Sequence, residues 1–231
     1  MKNRIIVVEG MDSSGKTSIA IPTISNYLEE QDIPKNLICV LPNQSDHKLA
    51  QTVKMIKGSE PESAEASFYL MYSYHIQLIH LIKKRYKQGY WVIVDRFIPS
   101  LIAYQVAHLS AIHGKQARAT VVANKLSNDL ESYKKIDLII HLEITVTECL
   151  SRLSKKTNKD IIESRDYSYF KQVSDCYKLQ FDPHDRGTHI NGSFLNLDCR
   201  QPTMTPIKMK KILIKLLDKW FNFLKRQEVI F

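Results

Sequence analysis

A chain of 231 residues with 44% hydrophobic content can bury a full core and is expected to form one domain, 1–231. No run approaches the roughly 20 apolar residues of a membrane span, and the first strand-like run starts so soon after Met1 that no secretory leader is expected. The net charge of +9 suits polyanionic partners such as nucleotides, but a lysine-rich solvated surface meets it equally well, so it does not by itself argue for nucleic acid.

The first element, Arg4-Ile5-Ile6-Val7-Val8-Glu9, reads as a buried parallel strand. It runs into Gly10, Met11, Asp12, Ser13, Ser14, Gly15, Lys16, Thr17 and Ser18, which together form a phosphate-binding P-loop. Its glycines let backbone N–H groups turn around a polyphosphate, Lys16 reaches the outer oxygens, and Thr17 can offer a hydroxyl to Mg²⁺. A helix starting at Lys16 adds its own partial positive charge beneath the phosphates. The next strand is Asn36–Val40, leading to Pro42, Asn43 and Gln44, and Ser63–Gln88 is helical. That helix carries Phe68, Tyr69, Tyr72 and Tyr74, a stripe that suits helix core as well as a stack for a base. Trp91–Asp95 is a strand ending in Asp95-Arg96. Asp95 can hold Mg²⁺ directly or through water and Arg96 can clamp a phosphate oxygen, though a local ion pair would use the same two residues.

Further along, Lys115–Lys134 is helical, Ile136–Leu142 a strand, Ser164–Leu179 helical, Phe181–Ser193 a turn-rich loop, and Phe194–Asp198 a strand. The last helix has Thr205 as N-cap, Pro206 at its first position and apolar residues at Leu213, Leu217, Trp220 and Leu224. Packing on the sheet is expected of it ahead of a membrane surface. Alternating strand and helix predicts an α/β fold: a parallel sheet of about five strands with helices on both faces. Ligands in such folds bind at the carboxyl ends of the strands, so one cleft should collect the P-loop, Pro42 to Gln44 and Asp95-Arg96. Cys39, Cys149, Cys176 and Cys199 are scattered without a CxxC pair. Metal and disulfide readings are therefore weak, and the cytoplasm, or a host's cytoplasm, is the expected compartment.

Asp95-Arg96-Phe97-Ile98-Pro99-Ser100-Leu101-Ile102-Ala103-Tyr104-Gln105 closely resembles the Asp-Arg-Tyr/His…Ser-x-x-Ala-Tyr-Gln segment of thymidylate kinases. Glu9-Gly10-Met11-Asp12 precedes it at a fitting distance, and Val40-Leu41-Pro42 is similar to the family's second strand end. Glu148…Leu150…Arg152 and Asp160-x-x-Glu163…Phe170…Val173…Tyr177 resemble the helices entering and leaving the family's lid, here about 154–166. The resemblance implies a three-layer P-loop kinase fold with a small basic lid. It implies that Lys16 and Thr17 bind donor phosphates and Mg²⁺, Asp12 sits near the acceptor sugar and the reacting phosphates, and Arg96 contacts the attacked phosphate. It places Ser100 and Gln105 near the acceptor base, Tyr104 beside the deoxyribose and Arg152 against the donor adenine. A homodimer formed through the helices that include Ser63–Gln88 is also implied.

The chain departs from the family pattern in three places. Gln44 stands where an Arg usually follows the strand-two proline, Met71 and His75 replace a Phe and an Arg, and Ile161 follows the lid's Asp160. A protonated His75 would bind phosphate more weakly than a bidentate Arg. With Ser13 and Ser14 in the P-loop, the transition-state cation is expected from Lys155, Lys156, Lys159 or Arg165 of the lid, unless these form an ordinary basic loop. The expected activity is transfer of the ATP γ-phosphoryl to dTMP or a related deoxynucleotide with Mg²⁺. Two alternatives remain: a kinase of the same fold acting on a nucleoside or a base hydroxyl in DNA, and a nucleic-acid-binding P-loop ATPase. Nucleic acid is thus a partner not favoured, and no second Walker-type acid run supports the ATPase.

Overall fold

The computed structural model describes residues 2–42, 64–113, 136–181, 193–201 and 204–229. Five strands, β1 (Ile5–Gly10), β2 (Ile38–Leu41), β3 (Trp91–Asp95), β4 (Leu138–Glu143) and β5 (Ser193–Asp198), form one sheet in the order β2-β3-β1-β4-β5. Every neighbouring pair is parallel. The central strands are apolar on both faces: Ile6, Val7, Val8, Val92, Ile93, Val94, Leu138, Ile139 and Ile140 have no exposed surface. A strand covered on both sides has no reason to alternate, which is why these runs read as unbroken Val, Ile and Leu. The register sets Val8 beside Asp95 and Gly10 beside Leu142, so the carboxyl ends of β3, β1 and β4 finish together.

A π-helical turn at Lys16–Ala20 leads into α1 (Ile21–Glu30), followed in chain order by α2 (Ala64–Lys87), α3 (Ile98–His113), α4 (Val146–Ser154), α5 (Tyr167–Phe181) and α6 (Pro206–Val229). Helix α1 packs with α6, whereas α3 packs with α2 and α5, and α4 with α5. These two groups cover the sheet's two faces and make the three-layer α/β fold that the alternating pattern predicts. Thr205 caps α6, its Oγ1 accepting the Lys208 N–H at 3.2 Å. Leu213, Leu217, Trp220 and Leu224 are buried, and Phe221 stacks on Trp91 at 5.6 Å. Each such side chain is worth roughly 1.5–3 kcal/mol of burial, which commits α6 to the core. No described helix is long and apolar enough to cross a membrane.

Local chemistry moved some element ends. Strand β2 starts only at Ile38 because Lys35–Leu37 forms a 3₁₀ turn, with the Leu37 N–H donating to the Pro34 carbonyl at 2.8 Å. Helix α5 starts at Tyr167 rather than Ser164 because Asp166 caps it, Oδ1 accepting the Tyr169 N–H at 3.0 Å. The helix expected over Lys115–Lys134 and most of the loop expected over Phe181–Ser193 lie outside the described residues.

Candidate active site

Strand β1 delivers its last residue, Gly10, at φ 140°, and a Cβ there would lie 2.5 Å from the Leu142 carbonyl oxygen of β4. Only glycine lets the chain turn away from the sheet at that point. Gly15, at φ 97°, then opens the helical turn, and the N–H groups of Ile19 and Ala20 both reach its carbonyl at 3.0 Å. Lys16 is buried in the loop. Its Nζ donates to the carbonyls of Gly10 at 2.9 Å and Met11 at 2.7 Å, and to Ser14 Oγ at 3.3 Å. Burial pushes this ammonium down to about 7, against the pull of nearby Asp12, Asp95 and Glu9. A bound polyphosphate would return the missing negative charge.

Thr17 Oγ1 donates to Asp95 Oδ2 at 2.7 Å, joining the start of the P-loop helix to the end of β3. The other oxygen, Asp95 Oδ1, is buried and has no hydrogen-bond partner. A hydroxyl beside an unsatisfied carboxylate oxygen is a donor set for a hard cation that takes its remaining ligands from water and phosphate. Among the described residues no cluster of three or more His, Cys, Asp or Glu could hold a metal without such help. Mg²⁺ therefore fits here as the nucleotide's companion.

Arg96 follows β3 in the left-handed region at φ 67°, an unusual backbone for a non-glycine residue. The turn aims its guanidinium back under the P-loop. One terminal nitrogen donates to the Gly10 carbonyl at 3.1 Å and Ser100 Oγ at 3.3 Å, and the other pairs with Asp12 Oδ1. Tyr104 completes the corner: its hydroxyl accepts the Asp12 N–H at 3.0 Å and donates to Asp12 Oδ2 at 2.7 Å, and its ring faces the guanidinium at 5.0 Å. Beneath them lies Glu9, fully buried. Its Oε1 caps α3 by accepting the Phe97 N–H at 2.7 Å, and Oε2 accepts the hydroxyls of Ser100 and Tyr177. Burial raises the Glu9 pKa, with the Ser100 and Phe97 donors and the Arg96 charge opposing the shift.

Asp12, Lys16, Thr17, Asp95, Arg96 and Tyr104 face one cavity of about 940 Å³. Of the expected residues, Asp12, Ser13, Gly15, Lys16, Thr17 and Ser18 line it from the P-loop, with Arg152 nearby. Pro42, Met71, His75, Asp95, Arg96, Ser100, Tyr104 and Gln105 line the remainder. Gln105 is buried, and its Oε1 has no partner. Tyr72 does not line the cavity; Tyr74 does, because the helix phase turns Tyr72 toward Phe68, 6.0 Å away ring to ring. Gln44 lies outside the described residues. The reading of His75 as a phosphate-binding cation needs correction. Its ring is buried, Nδ1 sits 2.8 Å from the Met71 carbonyl, and burial pushes it down to about 4. His75 stands there as a neutral ring.

In the segment 154–166, Asp160 and Glu163 form a reciprocal cap. The Glu163 N–H donates to Asp160 Oδ1 at 2.8 Å, and the Asp160 N–H to Glu163 Oε2 at 3.4 Å. Lys156 pairs with Glu163 at 2.6 Å and lines the cavity. Lys155, Lys159 and Arg165 do not line it, and the Arg165 guanidinium lies over the Tyr169 ring at 5.8 Å. Arg152 is held by Glu148 at 2.7 Å and by the Ser13 carbonyl at 3.0 Å, which fixes it at the P-loop's rim. Tyr74, one of the aromatic stripe, lines the site, and so do Cys199, Met204 and Met209, with Glu9 supporting it, none of which was expected there from the sequence. Glu9 had a signal, as an acid near the end of an apolar strand beside the P-loop. The others had none, since neither helix phase nor loop path follows from composition.

A family profile described as Thymidylate kinase matches residues 8–199. The thymidylate kinase of Blochmanniella pennsylvanica (strain BPEN) is 31% identical over 182 residues, covering 77% of this chain and 82% of the relative. That of Buchnera aphidicola subsp. Acyrthosiphon pisum (strain APS) is 29% identical over 232 residues, covering 99% of this chain and all of the relative. Among solved structures, thymidylate kinase from Candida albicans superposes with a TM-score of 0.63 at 20% identity, over 94% of this chain and 92% of the other. Deoxyadenosine kinase from M. mycoides, with bound dATP, superposes with a TM-score of 0.60 at 16% identity, over 94% and 99%. At those identities the two structures speak to the fold alone.

Proposed function

Because this chain belongs to the thymidylate kinase family, we propose that it transfers the γ-phosphoryl group of ATP to the 5′-phosphate of dTMP, giving dTDP and ADP. The observation that carries this reading is the convergence of Lys16, Asp95, Arg96 and the Asp12–Tyr104 pair on one cavity. An oxygen of the acceptor phosphate attacks the γ-phosphorus, and the bond to the β,γ-bridging oxygen breaks, its electrons leaving with ADP. No protein nucleophile is required. The site contributes alignment and charge.

In this reading the P-loop amides from Gly10 to Ser18 and the Lys16 ammonium hold the donor phosphates, with Arg152 against the adenine. Thr17 and Asp95 would hold Mg²⁺, which when bound offsets charge on the donor oxygens. Arg96 contacts the attacked phosphate. Asp12 and Tyr104 meet the deoxyribose, and the unpaired Gln105 amide oxygen can accept from a base N–H. Segment 154–166 acts as a lid, with Lys156 as its cation: it already faces the cavity and exchanges Glu163 for a phosphate oxygen on closing. The protein works in the cytoplasm as a homodimer joined through helices that include α2. Acceptors other than a nucleoside monophosphate are not favoured, since the matched family and both curated relatives carry the thymidylate kinase name.

The test is an acceptor panel with γ-labelled ATP: dTMP, dUMP, dCMP, thymidine and duplex DNA. We expect dTMP to give the highest kcat/KM. Transfer only to thymidine or DNA would overturn the assignment.

A further inference from the structure

Tyr177 is remote from the P-loop in sequence, on the helix that leaves the candidate lid, yet its hydroxyl reaches the start of the P-loop at Gly10. It lies 3.1 Å from Glu9 Oε2, 3.3 Å from the Gly10 carbonyl and 2.7 Å from Ser100 Oγ. The phenol thus sits among three buried oxygens, donating to Glu9 and Gly10, while either hydroxyl can donate in its contact with Ser100. Two of those oxygens, of Gly10 and Ser100, are also the acceptors of one Arg96 terminal nitrogen. The third belongs to Glu9, whose other oxygen is occupied by the Phe97 and Ser100 amides.

We infer that Tyr177 is a positioning residue for phosphoryl transfer: its hydroxyl, bonded among Glu9, Gly10 and Ser100, fixes the seat on which the Arg96 guanidinium rests. This rests on the function proposed above. The ring has a separate task. It stacks with His141 at 5.2 Å and Phe181 at 5.9 Å and is almost wholly buried. Packing alone would be served by phenylalanine. The hydroxyl instead completes a polar cluster with no surface exposure at Glu9, where water does not readily replace a lost donor. Removing it leaves Glu9 Oε2 with the Ser100 hydroxyl as its remaining side-chain donor. It also frees Ser100 to rotate away from Arg96. A guanidinium displaced by a fraction of an ångström no longer meets the transferring group in line, and misplacement of about 1 Å can lower a rate ~100-fold.

The test compares wild type, Tyr177→Phe, Ser100→Ala, the double variant and Phe181→Leu, measuring dTDP formation and Tm for each. We expect Tyr177→Phe to lower kcat by about tenfold or more while KM for ATP moves less than about twofold, a split that loss of packing would not produce. Phe181→Leu, which thins the same aromatic stack, should lower Tm and keep kcat within about twofold. If both hydroxyls act through one seat, the double variant falls little below the worse single variant. A Tyr177→Phe enzyme with wild-type kcat, one that fails to fold, or losses that multiply in the double variant would each overturn the inference. A wild type that makes no dTDP would overturn the proposed function itself, and so is told apart from these.

Discussion

Lys16 shows how the P-loop accommodates a buried cation. The P-loop's own carbonyls accept its protons, while burial holds it at about 7. Triphosphate binding supplies negative charge and raises it. At pH 8.5 ATP binding should therefore take up about one proton, and affinity should weaken as pH climbs above 7. Calorimetry in two buffers of different ionisation enthalpy measures this directly, and zero uptake would contradict it. His75 and His141 are perturbed in the other functional sense, since each is buried and pushed down to about 4. Both rings are neutral in the folded chain and gain a proton on unfolding below pH 6.5. Each therefore withdraws stability as pH falls from 6.5 toward 4, by up to about 1.4 kcal/mol per pH unit. Glu9, raised by burial, works in the opposite direction. Ring NMR signals of both histidines should stay at their neutral positions down to pH 5; a midpoint near 6.5 would contradict the burial argument. The residue types of the candidate site were legible because phosphate chemistry demands Gly, Lys, Thr, Asp and Arg at narrow spacings. His75 was misread because its charge depends on burial, and burial depends on helix phase.

Elements contribute by fixing where those residues end. The helix of the P-loop, the cap of α6 and the strands were legible from local signals: a glycine pair, Thr205-Pro206, and runs of Val and Ile. Long-range closure was not. The capping of α3 by Glu9, 88 residues earlier than the Phe97 amide it accepts, has no local signature. Two predictions belong at this scale. Thr205→Ala removes the α6 cap and should lower unfolding free energy by about 1 kcal/mol in urea titration, with kcat unchanged. Lys156→Ala should lower kcat by about 100-fold, while Lys156→Arg keeps most of it, if this side chain is the lid's cation. Equal loss in both variants would instead mark the Lys156–Glu163 pair as a matter of local geometry.

At the scale of the whole molecule, a five-stranded parallel sheet brings the ends of β1, β3 and β4 together, and the residues of the candidate site are concentrated there. The deoxyadenosine kinase match shows that this architecture by itself does not choose an acceptor. In the function proposed above, the choice falls to groups at the cavity wall, Gln105 and the Asp12–Tyr104 pair foremost. The central claim is that the γ-phosphoryl of ATP passes to dTMP over a P-loop anchored by Lys16. The most direct measurement follows the label from γ-labelled ATP, with Mg²⁺ and dTMP, in wild type and Lys16→Ala. We expect labelled dTDP from the wild type and a loss of at least ~100-fold in the variant. Label released only as free phosphate, or dTDP formed equally well without Lys16, would contradict the account.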